Sequence, residues 1–376
     1  MAEKRLTVLQ MLPTLQSGGV EKGTLEVAKA LIDRGHRSLV ISSGGGMVWQ
    51  LEAEGSEHFA WPVDKKSPWT LRFIWKLRRF LIEQSVDVLH YRSRVPGWIA
   101  YLAWKGMDPA ARPRLISTVH GLHSISPYSA IMTRGERAIA VSETIKKYIV
   151  NNYPNTPKER IELIYRGVDP LEFPYGFKPD ASWLTQWKAA YPQLTGKFVI
   201  ALPGRMTRLK GHHDFLQVVK QLKEQGIPVV GLVVGGEDVK RRAYAHEIYQ
   251  AVNDLHLSES VIFTGQRDDM REIYSQCNAV LSLSTKPESF GRTALEALSI
   301  GCPVVGYDHG GVGEVLDRLF PSGKVPLGDI SMVVDILAQL RHKPDTHVIA
   351  NTVFLKSKML QETLAIYQAL VGPTGK

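Results

Sequence analysis

The chain has 376 residues, 44% of them hydrophobic and 22% charged, which is more than one ordinary domain uses and suits two domains of roughly 150–200 residues. Its two cysteines, Cys277 and Cys302, exclude a disulfide framework and point to a reducing compartment, and no stretch approaches the roughly 18 apolar residues of a membrane span. A formal net charge of +9 leaves plain solubility, an anionic substrate, a phospholipid surface or a nucleic acid as its meaning.

The opening MAEKRLTVLQML has mixed charge and a short apolar run that stops at Pro13, so it predicts a buried first strand and no export signal. GGVEKGTLEVAKALIDRG follows with Val20, Leu25, Ala28, Leu31 and Ile32 at helical spacing, and Gly35 ends that helix. Gly18 and Gly19 stand between strand and helix. They do not make G-x-G-x-x-G; they form either a tight turn or a place where a ligand meets backbone N–H groups. HRSLVISS, VDVLHY, RLISTVHG and RAIAVSE read as further strands. KKSPWTLRFIWKLRRFLIEQ (65–84) reads as a helix with Leu71, Ile74, Leu77 and Leu81 on one face and Arg72, Lys76 and Arg79 on another. It either packs on the core with a solvated side or lies on anionic lipid. His120 closes a strand and precedes Gly121, as a structural histidine or as a donor or acid at a cleft. His123 nearby has no Cys or acidic partner at metal-binding spacing.

Between about 151 and 195 the alternation gives way to Pro, Gly and aromatic residues, a connector composition. It then restarts as strand and helix in turn: KFVIALPG, HHDFLQVVKQLKEQG, PVVGLVVGG, YAHEIYQAVNDLHL, VIFTG, DMREIYSQC, AVLSLS, RTALEALSIG and CPVVGYD. The fold class expected is therefore α/β, with two doubly wound parallel-sheet domains facing each other across a cleft.

In GRMTRLKGHHDF, Arg205 and Lys210 occupy a strand-to-helix loop beside glycines. They are either solvated cations or a fork and a point charge for a diphosphate. In STKPESFGRTALEALSIGCPVV a helix starts near Gly291 or Arg292, and its bare N–H groups suit an anion. Glu288 before that start and Glu296 on its second turn bracket no metal, so they accept hydrogen bonds from neutral hydroxyls, or else serve as a cap-region acid and a solvated helix residue. Carboxylates beside a cationic phosphate site suggest a nucleotide sugar. GGVGE (310–314) fits a second backbone wall, or a turn with Glu314 opening a helix.

On these residues the chain resembles the family 4 glycosyltransferases, retaining enzymes of the GT-B fold. The resemblance runs through Gly18–Gly19, His120–Gly121, RGVDPLEF, Arg205 with Lys210–Gly211, and the E-x7-E pair Glu288 and Glu296. It implies two Rossmann-like domains: 1–170 binding the acceptor, with a final helix of about 356–376 returning to it, a linker at 171–195, and 196–355 binding the nucleotide sugar. It implies that Arg205 and Lys210 stabilise the leaving diphosphate, and that Glu288 and the backbone from Ser289 through Phe290 to Gly291 and Arg292 hold the donor sugar. Glu296 holds the ribose, Gly18 and Gly19 lie by the diphosphate and acceptor, and His120 contacts the transferred sugar. The base is expected near Gln266 and Arg267. No cofactor or metal is implied; the donor is UDP-, GDP- or ADP-linked, and lipopolysaccharide-type transferases look closest. The expected partners are that donor, a glycolipid or saccharide acceptor and an anionic membrane at 65–84, with no nucleic acid, for a cytoplasmic chain peripheral on the inner membrane face. An epimerase or phosphorylase of the same fold, and a non-catalytic basic binding protein, stand as alternatives. Ser289 and Arg166 depart from the glycine and asparagine that many relatives have there.

Overall fold

Apolar runs too short for anything but a buried strand alternate with amphipathic helices, and each half of the chain resolves this pattern into one parallel sheet. The computed structural model describes residues 4–16, 18–237, 242–342 and 347–372. It divides into two units, one made of residues up to Tyr165 with those from Ser357 onward, the other of Arg166–Lys356.

The first unit runs β1 (Thr7–Met11), α1 (Gly19–Asp33), β2 (Arg37–Ser42), α2 (Val48–Ala53), β3 (Glu57–Ala60), α3 (Phe73–Glu83), β4 (Val88–Tyr91), α4 (Arg94–Lys105), β5 (Arg114–Val119), β6 (Arg137–Ala140), α5 (Glu143–Asn152) and β7 (Ile161–Leu163). Its seven strands lie in the order β3-β2-β1-β4-β5-β6-β7, with Thr7 opposite Arg37 and Val8 opposite Val88. Gly35, at φ 74°, ends α1 as its lack of a Cβ allows. One sheet face is covered by α3, α4 and α5 through Phe73, Leu77, Phe80, Ile99 and Ile145.

The second unit runs α6 (Ala181–Ala190), β8 (Phe198–Pro203), α7 (His212–Glu224), β9 (Val229–Val234), α8 (Arg242–Asp254), β10 (Val261–Gly265), α9 (Met270–Ser275), β11 (Ala279–Ser282), α10 (Arg292–Ser299), β12 (Val304–Tyr307), α11 (Gly310–Leu319), β13 (Lys324–Val325) and α12 (Ile330–His342). Its strands lie in the order β10-β9-β8-β11-β12-β13. The chain then enters α13 (Lys356–Val371), whose Met359, Leu364 and Tyr367 pack with Val27 and Leu31 of α1 on the other sheet face of the first unit.

Three elements differ from the sequence reading. The expected connector contains α6, capped by Asp180, whose Oδ1 accepts from Trp183 N at 2.8 Å, and braced by stacking of Trp183 on Trp187. Edge strands β3 and β7 were hidden because each is short and carries partly exposed residues, so neither shows a continuous apolar run. In α3 the buried set is Phe73, Leu77, Phe80 and Leu81; Leu71, expected on the apolar face, precedes the helix and is exposed, and Ile74 is half-buried.

Candidate active site

In both sheets the order of connection reverses between the first and fourth strands, β1/β4 and β8/β11, and ligands of open parallel sheets sit beyond the strand ends at such a point. Gly18 and Gly19 follow β1, Arg205 and Lys210 follow β8 and Glu288 follows β11, whereas His120 follows β5 and Arg267 follows the edge strand β10; each unit is described by itself.

In the second unit the loop after β8 and the loop after β11 are fastened together. Thr285 N donates to Leu209 O at 2.9 Å. Gly211 is left-handed at φ 73°, and a Cβ there would lie 1.9 Å from Leu283 O, so only glycine lets the loops close. This brings Lys210 Nζ to 2.7 Å from Glu288 Oε1, where it donates a hydrogen bond within an ion pair. The Lys210 stem lies across Gly204, whose absent Cβ leaves it room. Ser284 Oγ also donates to Glu288 Oε1, and the Ser284 carbonyl in turn accepts from His309 Nε2 at 2.6 Å, which places a proton on Nε2. Both partners therefore use Oε1, and among the described residues Oε2 accepts no hydrogen bond. Burial pushes the Glu288 carboxyl up, but the Lys210 charge, the bonds from Lys210 and Ser284, and the His309 charge outweigh it and hold the group below its ordinary value.

Gly291 is the N-cap of α10 at φ 85° and ψ 51°, with Val312 packed where a Cβ would project. The PESF turn before it is clamped by the start of α11: Gly311 N donates to Glu288 O at 2.8 Å, and a Cβ on Gly311 would lie 2.3 Å from Phe290 Cα. The glycines of GGVGE thus support the Glu288 turn directly, and Glu314 lies one turn into α11. Phe290 is core, edge-on to Phe354, while Ser289 is half-buried at the turn. Arg205 is exposed, and no side-chain partner holds it among the described residues. Glu296 is not a solvated helix residue; it is buried, and its Oε1 accepts from Arg292 Nε at 3.0 Å. Arg267 stands in a different cluster. Both arms of its fork bind Asp269, at 2.8 and 2.6 Å, and Asp269 also accepts from Trp183 Nε1.

In the first unit Gly18, at φ 146°, is the N-cap of α1, with the Glu21 carboxylate 2.7 Å from where a Cβ would project, while a Cβ on Gly19 would meet nothing within 4 Å. His120, just past β5, lies 3.5 Å from Arg92 Nη1. Arg92 was not singled out from the sequence. It is buried just past β4 and grips Gln10 Oε1 of β1 through Nε at 3.0 Å and Nη2 at 2.6 Å, while Gln10 Nε2 donates to Thr24 O. Burial lowers the guanidinium from its ordinary value, against the pull of Tyr367 and Glu26. This chain of polar groups ties β1, β4 and β5 together behind Gly18 and His120. The signal that could have found it was a polar pair, Gln10 and Arg92, within and just beyond strands that are otherwise apolar. His123 is held near a pKa of about 4, chiefly by burial and then by the Arg94 charge, and among the described residues no group of His, Cys, Asp and Glu could hold a metal ion. Burial raises both thiols, Cys277 and Cys302.

Comparison with known proteins follows the same division. Residues 17–171 match the family described as Glycosyltransferase Family 4, and residues 185–346 match Glycosyl transferases group 1. The chain is 25% identical over 350 residues to the N-acetyl-alpha-D-glucosaminyl L-malate synthase of Bacillus anthracis, covering 89% of this chain and 87% of that one. A solved glycosyltransferase of Rickettsia africae is 27% identical at a TM-score of 0.83, covering 98% of this chain and 100% of its own. HepE of Anabaena, solved with UDP and glucose, has a TM-score of 0.76 over 98% of this chain and 97% of its own; at 20% identity that likeness is one of fold.

Proposed function

The chain belongs to the family 4 glycosyltransferases of the GT-B fold, and from that premise we propose that it moves a sugar from a nucleotide-sugar donor to a cell-envelope glycolipid or polysaccharide, retaining the anomeric configuration without a bound metal. The observation that carries this reading is the Lys210–Glu288 pair, 2.7 Å long, set beside the glycine-capped start of α10. A donor diphosphate needs cations and bare N–H groups. A sugar needs hydroxyl acceptors. The β8 and β11 loops offer both within a few ångströms.

In the proposed reaction the bond between the anomeric carbon and the diphosphate oxygen breaks while an acceptor hydroxyl attacks the same face of the sugar. The acceptor proton passes to the departing diphosphate oxygen. Negative charge grows on that oxygen, and fixed donors aimed at it lower the barrier. Arg205, whose fork has no side-chain partner among the described residues, and Lys210 supply the cations; the α10 start supplies N–H groups and the positive end of its dipole. Glu288 holds Lys210 in place through Oε1 and offers Oε2 to a sugar hydroxyl. Glu296, already fixed by Arg292, takes the ribose. On the acceptor side, Gly18 and Gly19 form the start of α1, and Arg92 positions His120. HepE, of the same fold, is solved with UDP, which makes UDP the first nucleotide to try.

The name of the Bacillus anthracis relative favours a second reading of the acceptor, a small hydroxyl-bearing acid. Nucleoside diphosphate release with L-malate or with a glycolipid extract separates the two. The mechanism is tested by Lys210→Ala. Turnover falls about a hundredfold or more, as when one such donor is lost, while the melting profile stays cooperative. Near-normal turnover would refute the leaving-group role. A nucleoside diphosphate at a hundred times its Kd stabilises the fold by about 2.7 kcal/mol, so a thermal-shift series of UDP, GDP and ADP identifies the donor.

A further inference from the structure

The segment from Lys65 to Gln84 divides its apolar residues between two sides. Phe73, Leu77, Phe80 and Leu81 go inward, and Trp61 stacks on Phe73 at 5.8 Å and meets Phe80 edge-on at 5.4 Å. A helix that merely covered a core would leave polar residues outside. This one does not. Trp69 is 78% exposed, Trp75 70%, Ile82 66% and Leu71 51%. Trp75, Arg79 and Ile82 follow one another at i, i+4 and i+7, on the side of α3 opposite the buried stripe. Four large apolar residues within fourteen positions make a patch, not scattered surface hydrophobics.

The same segment carries six cations, Lys65, Lys66, Arg72, Lys76, Arg78 and Arg79, against one acid, Glu83, which pairs with Arg79. Several are laid on aromatic rings. Lys76 Nζ is 4.3 Å from the Trp61 ring centre and Arg72 is 5.0 Å from that of Phe73. Arg78 lies 4.6 Å over Trp75 while donating to Leu102 O and Ala103 O of α4, so the exposed indole has a fixed seat. The lead-in is held as well. Thr70 Oγ1 donates to Lys65 O at 2.8 Å, and Ser67 Oγ accepts from Trp69 N at 3.3 Å.

We infer that the outer face of the 65–83 segment docks on an anionic lipid bilayer, with Trp69, Leu71, Trp75 and Ile82 entering the interfacial layer and the surrounding lysines and arginines meeting lipid phosphates. Indole rings settle at the boundary between headgroup and acyl chain, and basic side chains near a negative surface add to the attraction. A second copy of the chain fits less well, because a two-fold contact sets this face against itself and brings six cations against six. A nucleic acid would satisfy the cations but give Leu71 and Ile82 nothing apolar to bury them. The inference bears on the glycolipid acceptor proposed above without resting on it, since adsorption needs no turnover.

The test is co-sedimentation of the full chain with vesicles of equal parts phosphatidylglycerol and phosphatidylcholine, and with vesicles of phosphatidylcholine alone. The chain binds the anionic vesicles at least about tenfold more tightly, and raising salt releases it as the screening length falls from about 10 Å at 0.1 M to about 3 Å at 1 M. Trp69→Ser with Trp75→Ser, and separately Arg72→Glu with Lys76→Glu, each weaken binding about tenfold or more. Leu327→Ser, an exposed apolar position of the other unit, leaves binding unchanged. All four positions of the two double variants are exposed, so the variants fold, and an unaltered melting temperature checks this. Equal binding to both vesicle types, or variants that bind as the parent does, would overturn the inference. So would a parent that ignores vesicles but forms a dimer dissolved by the tryptophan changes, or one that takes up only nucleic acid. Those results would leave the glycosyl-transfer reading untouched, just as loss of turnover in Lys210→Ala would leave vesicle binding untouched.

Discussion

Glu288→Gln keeps the shape of the side chain and removes its charge, which isolates the ion pair with Lys210. The two groups are 2.7 Å apart, with side chains 26% and 22% exposed. Removing one member of a fully buried pair costs about 3–5 kcal/mol, whereas an exposed pair contributes about 0–1 kcal/mol. A pair about three-quarters buried, in which Ser284 can still bond the amide oxygen, falls between these at about 1–3 kcal/mol. In a unit of this size that lowers the melting temperature by about 2–12 °C at pH 7. The pH dependence has a definite sign. Burial raises the Glu288 carboxyl, but Lys210, Ser284 and His309 together bring it below the ordinary value of 4.5. The unfolded chain therefore takes up this proton before the folded one does. The stabilisation is complete above the unfolded value and is lost as pH falls through the depressed folded value. Parent and variant should differ by a constant amount from neutral pH down to about pH 5 and converge below it. Thermal unfolding followed by circular dichroism, at pH 7 and in steps toward pH 4, measures both. A variant as stable as the parent at pH 7, or a gap that widens on acidification, would refute the reasoning.

Two further changes probe the supports. Gly291→Ala forces a side chain onto backbone at φ 85° and sets its Cβ 2.6 Å from Val312 Cγ2. It should cost about 1–3 kcal/mol in urea unfolding and weaken nucleoside diphosphate binding with it, and unchanged affinity would detach the start of α10 from the donor site. Tyr367→Phe on α13 removes the hydroxyl that lies 2.6 Å from His90 Nδ1, with both residues fully buried and the imidazole kept well below its ordinary value chiefly by burial, then by Arg92 and His120. A buried ring nitrogen left without its partner costs about 1–3 kcal/mol, and a melting temperature equal to the parent's would show that α13 is held by its apolar contacts alone.

Much of the architecture is written in local signals. An apolar run of four to six residues followed by residues at 3.6 spacing must become a buried strand and a covering helix, because each leaves an apolar side that only the other can cover. Thr7–Met11 with Gly19–Asp33, ended by Gly35, is legible in that way, as are Phe198–Pro203 and His212–Glu224. Where the signal is weak the elements vanish from view: Glu57–Ala60 and Ile161–Leu163 are short edges, and Ala181–Ala190 depends on one aspartate cap and a pair of stacked tryptophans.

The residue types of the site were legible too, since cations beside glycines and carboxylates around a helix start announce an anion and hydroxyls. Their partnerships were not. Lys210 meets Glu288 because β8 and β11 are neighbours in the sheet and Gly211 lets their loops close, while Arg267, equally basic and equally placed in a strand-to-helix loop, is taken up by Asp269. Arg92 gains its partner only where β1 and β4 lie side by side and Gln10 receives it. Among the aromatics of 65–84, Phe73 and Phe80 fill the space beneath the helix and Trp69 and Trp75 are left outside. Local preference acts over a turn or a strand and is carried by the chain itself; which charge finds which partner, and which ring is left outside, depends on contacts between residues remote in sequence that exist only once the sheets have assembled.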